Sequence, residues 1–238
     1  MAGRPRTQGG VKIQSPRLYL FTPPLGDAAA FAATLAAVLN AGDTAALLLR
    51  LQDADERTLI NRIKAIGAVV QRRDIALLLD GRPELVARAG ADGAHLTGIA
   101  ALTAAIGALK PDRIAGCGGL RSRHDAMLAG EAAADYVLFG EPVAGDGKAF
   151  GRTGREDASR PAFATIVERV AWWAQVFEPP CVGYAASLDE VGPLAAAGAD
   201  FVALGEWIWN ETEGAAAIIK QAMARLAAPS SSPASPAK

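Results

Sequence analysis

Eight short apolar runs, separated by longer alanine-rich stretches, constrain this chain more than any other feature. They are RLYLFT (17–22), TAALLLR (44–50), IALLLD (75–80), GAHLTG (93–98), RIAGCGG (113–119), YVLFGE (136–141), CVGYAA (181–186) and FVALGE (201–206). Several do not alternate apolar with polar, as expected of strands buried on both faces in a parallel sheet. The segments between them, such as DAAAFAATLAAVLNAG and SLDEVGPLAAAGAD, carry helical spacing with Gly or Asn near their ends. Eight strand–helix units in succession, with no break in composition, predict an α/β chain folded as a single (β/α)8 TIM barrel. A doubly wound open sheet is the alternative, but no GxGxxG follows the first run.

A phrase of small residue, Asp and apolar run precedes the second, fourth, sixth and eighth runs, at Asp43, Asp92, Asp135 and Asp200. In a barrel these aspartates open the even strands, on the face away from the active site, where conserved scaffolding serves stability. The barrel is expected over 17–227. The segment 1–16 and the Pro/Ser/Ala tail 228–238 bury too little apolar surface to order, so both are expected to be flexible.

A formal net charge of -1 offers no global basic field, which argues against nucleic acid or an anionic membrane as partner. No apolar stretch is long enough to span a bilayer, and MAGRPRTQGGVKIQSP lacks the apolar core of a secretory signal. The only cysteines, Cys117 and Cys181, have neither disulfide-framework nor zinc spacing, which suits a reduced cytoplasmic protein.

In a barrel the site lies at the C-terminal ends of the strands. The polar residues there are Thr22, Arg50, Gln52, Asp80, Arg82, Thr97, Arg121, Arg123, Lys148, Arg152, Ser187 and Glu206. Six are cationic, and guanidinium forks suit phosphate oxygens. Arg50, Asp80, Arg82, Arg121, Lys148, Ser187 and Glu206 are therefore the candidate substrate-binding residues, for a small anionic molecule. The loop AGDGKAFGRTGRED either orders around an anion with Lys148 reaching inward or is a mobile surface loop. Ser187 and Glu190 have capping-box spacing, placing a helix N-terminus at the barrel mouth, where phosphate is commonly held. Glu206 nearby opposes a phosphate by about 1 kcal/mol or more.

No lysine lies inside a strand run, which excludes a strand-borne Schiff base, and His95 and His124 lack metal-site spacing. His95, within the fourth run, is expected to be packed rather than catalytic. Trp172 and Trp173 are adjacent on a helix and cannot share a face. An exposed member of the pair would suit a homodimer interface; a packed helix edge is the alternative.

The words RLYLFT, ADGAHL, ADYVLFGEPVAGDGK, CVGYAASLDEV and GADFVAL, in this order, resemble the thiamine-phosphate synthase family and its aminothiazole tautomerase relatives, over roughly 17–226. The resemblance implies a Mg²⁺-dependent barrel that couples an aminopyrimidine diphosphate to a thiazole phosphate and holds the diphosphate as it leaves. The family's Gln-Leu-Arg-x-Lys falls on Leu48-Leu49-Arg50-Leu51-Gln52, which keeps the arginine. Its Asn-Asp-Arg falls on Asp80-Gly81-Arg82, so Asp80 stands next to the Mg²⁺-binding position and is the candidate ligand; the second metal aspartate falls on or near Ala100. Ser-Thr-His becomes Gly118-Gly119-Leu120, which removes the serine hydroxyl and the histidine. Thr-x-Thr-Lys becomes Gly145-Asp146-Gly147-Lys148. The phosphate-binding Gly-Gly becomes Ala185-Ala186, and Ile-Ser becomes Gly205-Glu206. Three readings stand open: a synthase with a remodelled site, a non-catalytic relative that binds a thiamine-pathway molecule or a partner protein, or an enzyme of different chemistry on an anionic substrate.

Overall fold

A computed structural model describes residues 16–142, 160–210 and 214–227. The expectations placed on 1–15, on the loop around Lys148 and on 228–238 fall outside those residues. Each of the eight apolar runs becomes a strand: β1 Arg17–Phe21, β2 Thr44–Leu49, β3 Ala76–Asp80, β4 Gly93–Thr97, β5 Ile114–Gly118, β6 Tyr136–Phe139, β7 Cys181–Ala185 and β8 Phe201–Leu204. All neighbours pair in parallel, and β8 pairs back to β1, closing the barrel. The helices between them are α1 Ala28–Leu39, α2 Glu56–Val70, α3 Pro83–Ala89, α4 Ile99–Leu109, α5 Arg123–Glu131, α6 Phe163–Val176, α7 Leu188–Ala196 and α8 Ala215–Ala227.

Local chemistry sets the helix ends. Asp27 and Asp55 accept the N–H of Ala30 and Thr58, each at 3.0 Å, and so start α1 and α2. Ser122 and Asp125 form a full capping box on α5. Gly90 ends α3 at φ +74°, a conformation that strains any residue with a Cβ.

Unalternating runs produce two apolar compartments. One set of side chains, including Leu18, Leu20, Leu47, Leu49, Leu77 and Leu79, packs outward beneath the helices. The alternate set, Tyr19, Phe21, Leu48, Leu78, Tyr136, Leu138, Val182, Tyr184 and Ala203, fills the barrel. The tryptophan pair faces its own chain. Trp173 is fully buried, with its indole N–H donating to Pro179 O at 2.7 Å. Trp172 is half-buried, under Arg123 at 5.0 Å and against Phe177 at 5.1 Å. Neither ring is exposed, so the cue for a dimer interface is lost.

The repeated aspartates are strand clamps. The side chains of Asp92, Asp135 and Asp200 accept the N–H of Leu77, Ala115 and Cys181 at 2.7, 2.7 and 2.9 Å. Their own N–H groups donate back to the carbonyls of the same three residues. Asp43 instead holds the Arg17 guanidinium, with three contacts between 2.8 and 3.0 Å.

Candidate active site

At the C-terminal end of β2, Arg50 is 3% exposed, with its backbone N–H donating to Thr22 Oγ1 at 3.0 Å. A buried guanidinium requires compensating anions. Two arrive from other strands: Asp80 at the end of β3, with Oδ2 3.4 Å from Arg50 Nε, and Glu206 just past β8, with Oε2 3.2 Å from Nη1. The Asp80 side chain is 13% exposed and that of Glu206 24%, so the cluster is enclosed but opens at the mouth. Burial raises the Asp80 carboxyl above its ordinary range, although Arg50 and Arg82 beside it act to lower it.

The other expected contacts divide. Arg82 lies near Asp80 and pairs with exposed Asp53 at 2.5 Å. Arg121 is exposed, and its backbone carbonyl accepts from Arg169 at 2.6 Å. Arg123 turns to Glu168 at 2.6 Å, on the helical face of the barrel. Gln52 folds back onto Pro24 O at 3.2 Å. Lys148 and Arg152 lie outside the described residues. Ser187 is the N-cap of α7, but its hydroxyl makes no capping bond, which corrects the expected box. The Glu190 N–H that the hydroxyl would accept donates instead to Ser187 O at 3.3 Å, and the Glu190 carboxylate is held by the Arg160 guanidinium at 2.9 and 2.6 Å. Glu190 then accepts from Ala186 N–H at 2.8 Å, one residue before the cap. Arg160 also donates to Gly140 O and Tyr184 O at 2.9 and 3.0 Å, tying the ends of β6 and β7 together.

Four further features had no part in the sequence reading. Tyr19, Tyr136 and His95 form a hydrogen-bonded line up the barrel: hydroxyl to hydroxyl at 2.9 Å, then Tyr136 hydroxyl to His95 Nδ1 at 2.9 Å. Burial lowers the imidazole to about 4, so His95 is neutral at pH 7, packed as expected. Beyond it, Glu141 follows β6 and accepts a hydrogen bond from Gly119 N–H. Burial lifts its carboxyl to about 8, opposed by that hydrogen bond and reinforced by Asp80. Trp207 and Trp209 close the rim by donating to Ala185 O and Phe21 O, at 3.0 and 2.7 Å. Finally, Tyr184 sends its hydroxyl into the space beside Gly205, where a Cβ would overlap it. The two cysteines take no part: both are buried, and burial lifts each thiol to about 12.

Glu141 had a readable signal. The word Phe-Gly-Glu after β6 matches Leu-Gly-Glu after β8, so Glu141 and Glu206 hold equivalent positions. Arg160 had none, because it enters from a segment without strand register.

The arrangement of the described residues does not fit a resident Mg²⁺ held by protein ligands alone. Among the described residues no group of three His, Cys, Asp or Glu side chains could hold a metal. The ligand candidate from the sequence, Asp80, is already in ion-pair contact with Arg50 and lies within the electrostatic reach of Arg82, and both cations repel a dication. In a thermal-shift titration without substrate, millimolar Mg²⁺ is expected to leave the melting temperature unchanged. A rise that Asp80→Asn abolishes would restore Asp80 as a ligand.

A family model described as thiamine monophosphate synthase matches residues 18–208. A thiamine-phosphate synthase of Rhodospirillum centenum is 41% identical over 208 residues, spanning 85% of this chain and 94% of the relative. One of Hyphomonas neptunium is 37% identical over 224 residues, spanning 91% and 92%. The solved thiamine phosphate pyrophosphorylase of Pyrococcus furiosus superposes with TM-score 0.68 at 18% identity, covering 89% of this chain and 96% of that one. A 3-hexulose-6-phosphate synthase superposes nearly as well, with TM-score 0.61 at 16% identity, covering 87% and 99%. Superpositions at such identities establish the barrel alone, whereas the sequence matches go further: this chain belongs to the thiamine monophosphate synthase family.

Proposed function

We propose that this chain performs the thiamine-phosphate synthase reaction with a remodelled site. An aminopyrimidine diphosphate and a thiazole phosphate meet at the C-terminal mouth of the barrel, and diphosphate leaves. What supports this reading above all is the near full-length match to proteins of that name, at 41% identity. Arg50, kept from the family's strand 2 word, stands buried at the centre of the mouth. In the proposed cycle, Arg50 exchanges its 3.2 Å contact with Glu206 for a phosphoryl oxygen, while Asp80 keeps the guanidinium oriented. The closed interior, filled by Tyr19, Phe21, Tyr136 and Tyr184, excludes water from below. Arg82 adds cationic reach from the rim, and Lys148, kept from the family's strand 6 word, is a further proposed contact for the anion. No described helix is long and apolar enough to cross a membrane, and the proposed setting is the cytoplasm.

One observation favours a second reading. Arg50 already faces two carboxylates, so a diphosphate must displace an anion to bind. A non-catalytic relative that binds a less charged molecule, or an enzyme of different chemistry, fits that local balance.

Incubation of purified protein with both phosphorylated precursors, followed by chromatography, separates the two. The expected result is thiamine phosphate, lost by a factor on the order of 10² or more in a folded Arg50→Lys variant, which keeps the charge but not the fork. No product from folded wild-type protein would leave the second reading standing.

A further inference from the structure

We propose that Glu141 is the proton donor of this site, delivering its proton to the diphosphate oxygen as that group departs. The proposal rests on the synthase reading for the identity of the leaving group, and on geometry for the acid.

The geometry involves two neighbouring strands. A Cβ on Gly118 would overlap Glu141 Oε1 and stand 2.6 Å from His95 Nε2. Only glycine at the end of β5 therefore leaves room for the Glu141 carboxyl, which the next residue, Gly119, fixes through its N–H. Relative to the family word, Gly118 lacks the serine hydroxyl, and the Glu141 carboxyl occupies space that a side chain at 118 would need.

The groups around Glu141 favour a neutral acid. Among the described residues, Asp80 from β3, Cys117 from β5, and Tyr19 and Tyr136 from β1 and β6 interact with it electrostatically, and none of these is a cation. The fifth neighbour, His95 from β4, is neutral. Its Nδ1 is engaged by Tyr136, so the line of hydroxyls determines which ring nitrogen carries the proton and what Nε2 presents to Glu141. His95 is thus a positioning residue. A carboxyl held near 8 is still protonated at pH 7 and lies close to the proton affinity of a departing phosphoryl oxygen, the match that general acid catalysis requires.

The step balances. The bond between the pyrimidine methylene carbon and the diphosphate oxygen breaks, and its electron pair stays on oxygen. The Glu141 proton moves to that oxygen, and the thiazole nitrogen lone pair forms the new bond to carbon. Glu141 is left as a carboxylate and regains its proton from solvent. Alongside the guanidinium of Arg50, a proton from Glu141 would neutralise the charge that develops on the leaving oxygen.

The test is carbon NMR of the full chain labelled at glutamate carboxyls, titrated with and without pyrophosphate. One glutamate resonance is expected to titrate near pH 8, to vanish in Glu141→Gln, and to change midpoint when pyrophosphate is added. Glu141→Asp serves for assignment if the Gln variant does not fold. If every glutamate titrates in the ordinary range, the acid is overturned. A midpoint unmoved by bound pyrophosphate overturns the contact with the leaving group. If pyrophosphate does not bind, the synthase reading and the leaving-group role fall together, while the midpoint still reports the acid. In turnover, Glu141→Gln is expected to lower kcat by roughly 10²–10⁴-fold with little change in KM for the thiazole. Wild-type kcat should fall as pH rises through about 8, because the donor is then deprotonated. Undiminished turnover by the Gln variant overturns the proposal.

Discussion

Replacing Arg50 with alanine is expected to destabilise the protein by roughly 3–5 kcal/mol at neutral pH, because the change strands two carboxylates rather than because it removes an attraction. Asp80 and Glu206 are both largely enclosed, and each takes an ion-pair contact from this guanidinium. Denaturant unfolding should show the loss, and mild acid should reduce it. Burial already raises the Asp80 carboxyl, and without Arg50 it should rise further, so protonation on acidification relieves the stranded charge. The same logic makes Arg50→Met with Asp80→Asn and Glu206→Gln far less costly than Arg50→Ala alone. An Arg50→Ala variant within about 1 kcal/mol of wild type at pH 7 would show that the three charges are not coupled.

The second large effect falls on Gly205. An alanine there would place its Cβ over the Tyr184 hydroxyl and 2.6 Å from Tyr184 Cζ. The phenol has little room to yield: Phe21 meets its ring edge-on at 5.6 Å, and Arg160 lies 5.8 Å above it. Forcing such a contact in a packed interior typically costs about 1–3 kcal/mol, and a rigid barrel belongs at the upper end. Tyr184→Phe removes the overlapping oxygen. Gly205→Ala is therefore expected to cost appreciably less in the Tyr184→Phe background than in wild type, by unfolding free energies over the four-variant cycle. Equal costs in both backgrounds would place the strain elsewhere. In this chain, then, the glycine after β8 makes room for a tyrosine of the neighbouring strand.

These two sites show what a sequence of this kind discloses. The strands were legible because burial on both faces leaves no polar alternation to confuse them with amphipathic helix, and all eight runs appear as strands. Arg50, Asp80 and Glu206 were legible as mouth residues by counting to the strand ends. Their mutual contacts were not, since β2, β3 and β8 come together only through barrel closure. Arg121 and Arg123 look equivalent in sequence and both are exposed, yet Arg123 is drawn to Glu168 and Trp172 on the helical face. Side-chain direction past a strand end depends on partners that spacing does not encode. The Ser187–Glu190 spacing was a true signal for a helix start, but Arg160, 27 positions before Ser187 in the chain, captured the carboxylate. Glu141 was visible as the twin of Glu206, but its enclosure depends on the missing side chain of Gly118.

The aspartate clamps carry a consequence for how the barrel comes apart. Asp92, Asp135 and Asp200 each join an even strand to the odd strand before it by a closed ring of two hydrogen bonds, and Asp43 does the same work through Arg17. The seams β1/β2, β3/β4, β5/β6 and β7/β8 are thereby riveted at their N-terminal ends, while among the described residues the alternate seams carry no aspartate clamp of this kind. Partial opening should then run along the unriveted seams, releasing quarter-barrels of two strands each. Amides of Leu77, Ala115 and Cys181 would exchange with solvent only when a whole quarter melts. Split halves cut between β4 and β5 should reassemble more readily than halves cut within a riveted pair.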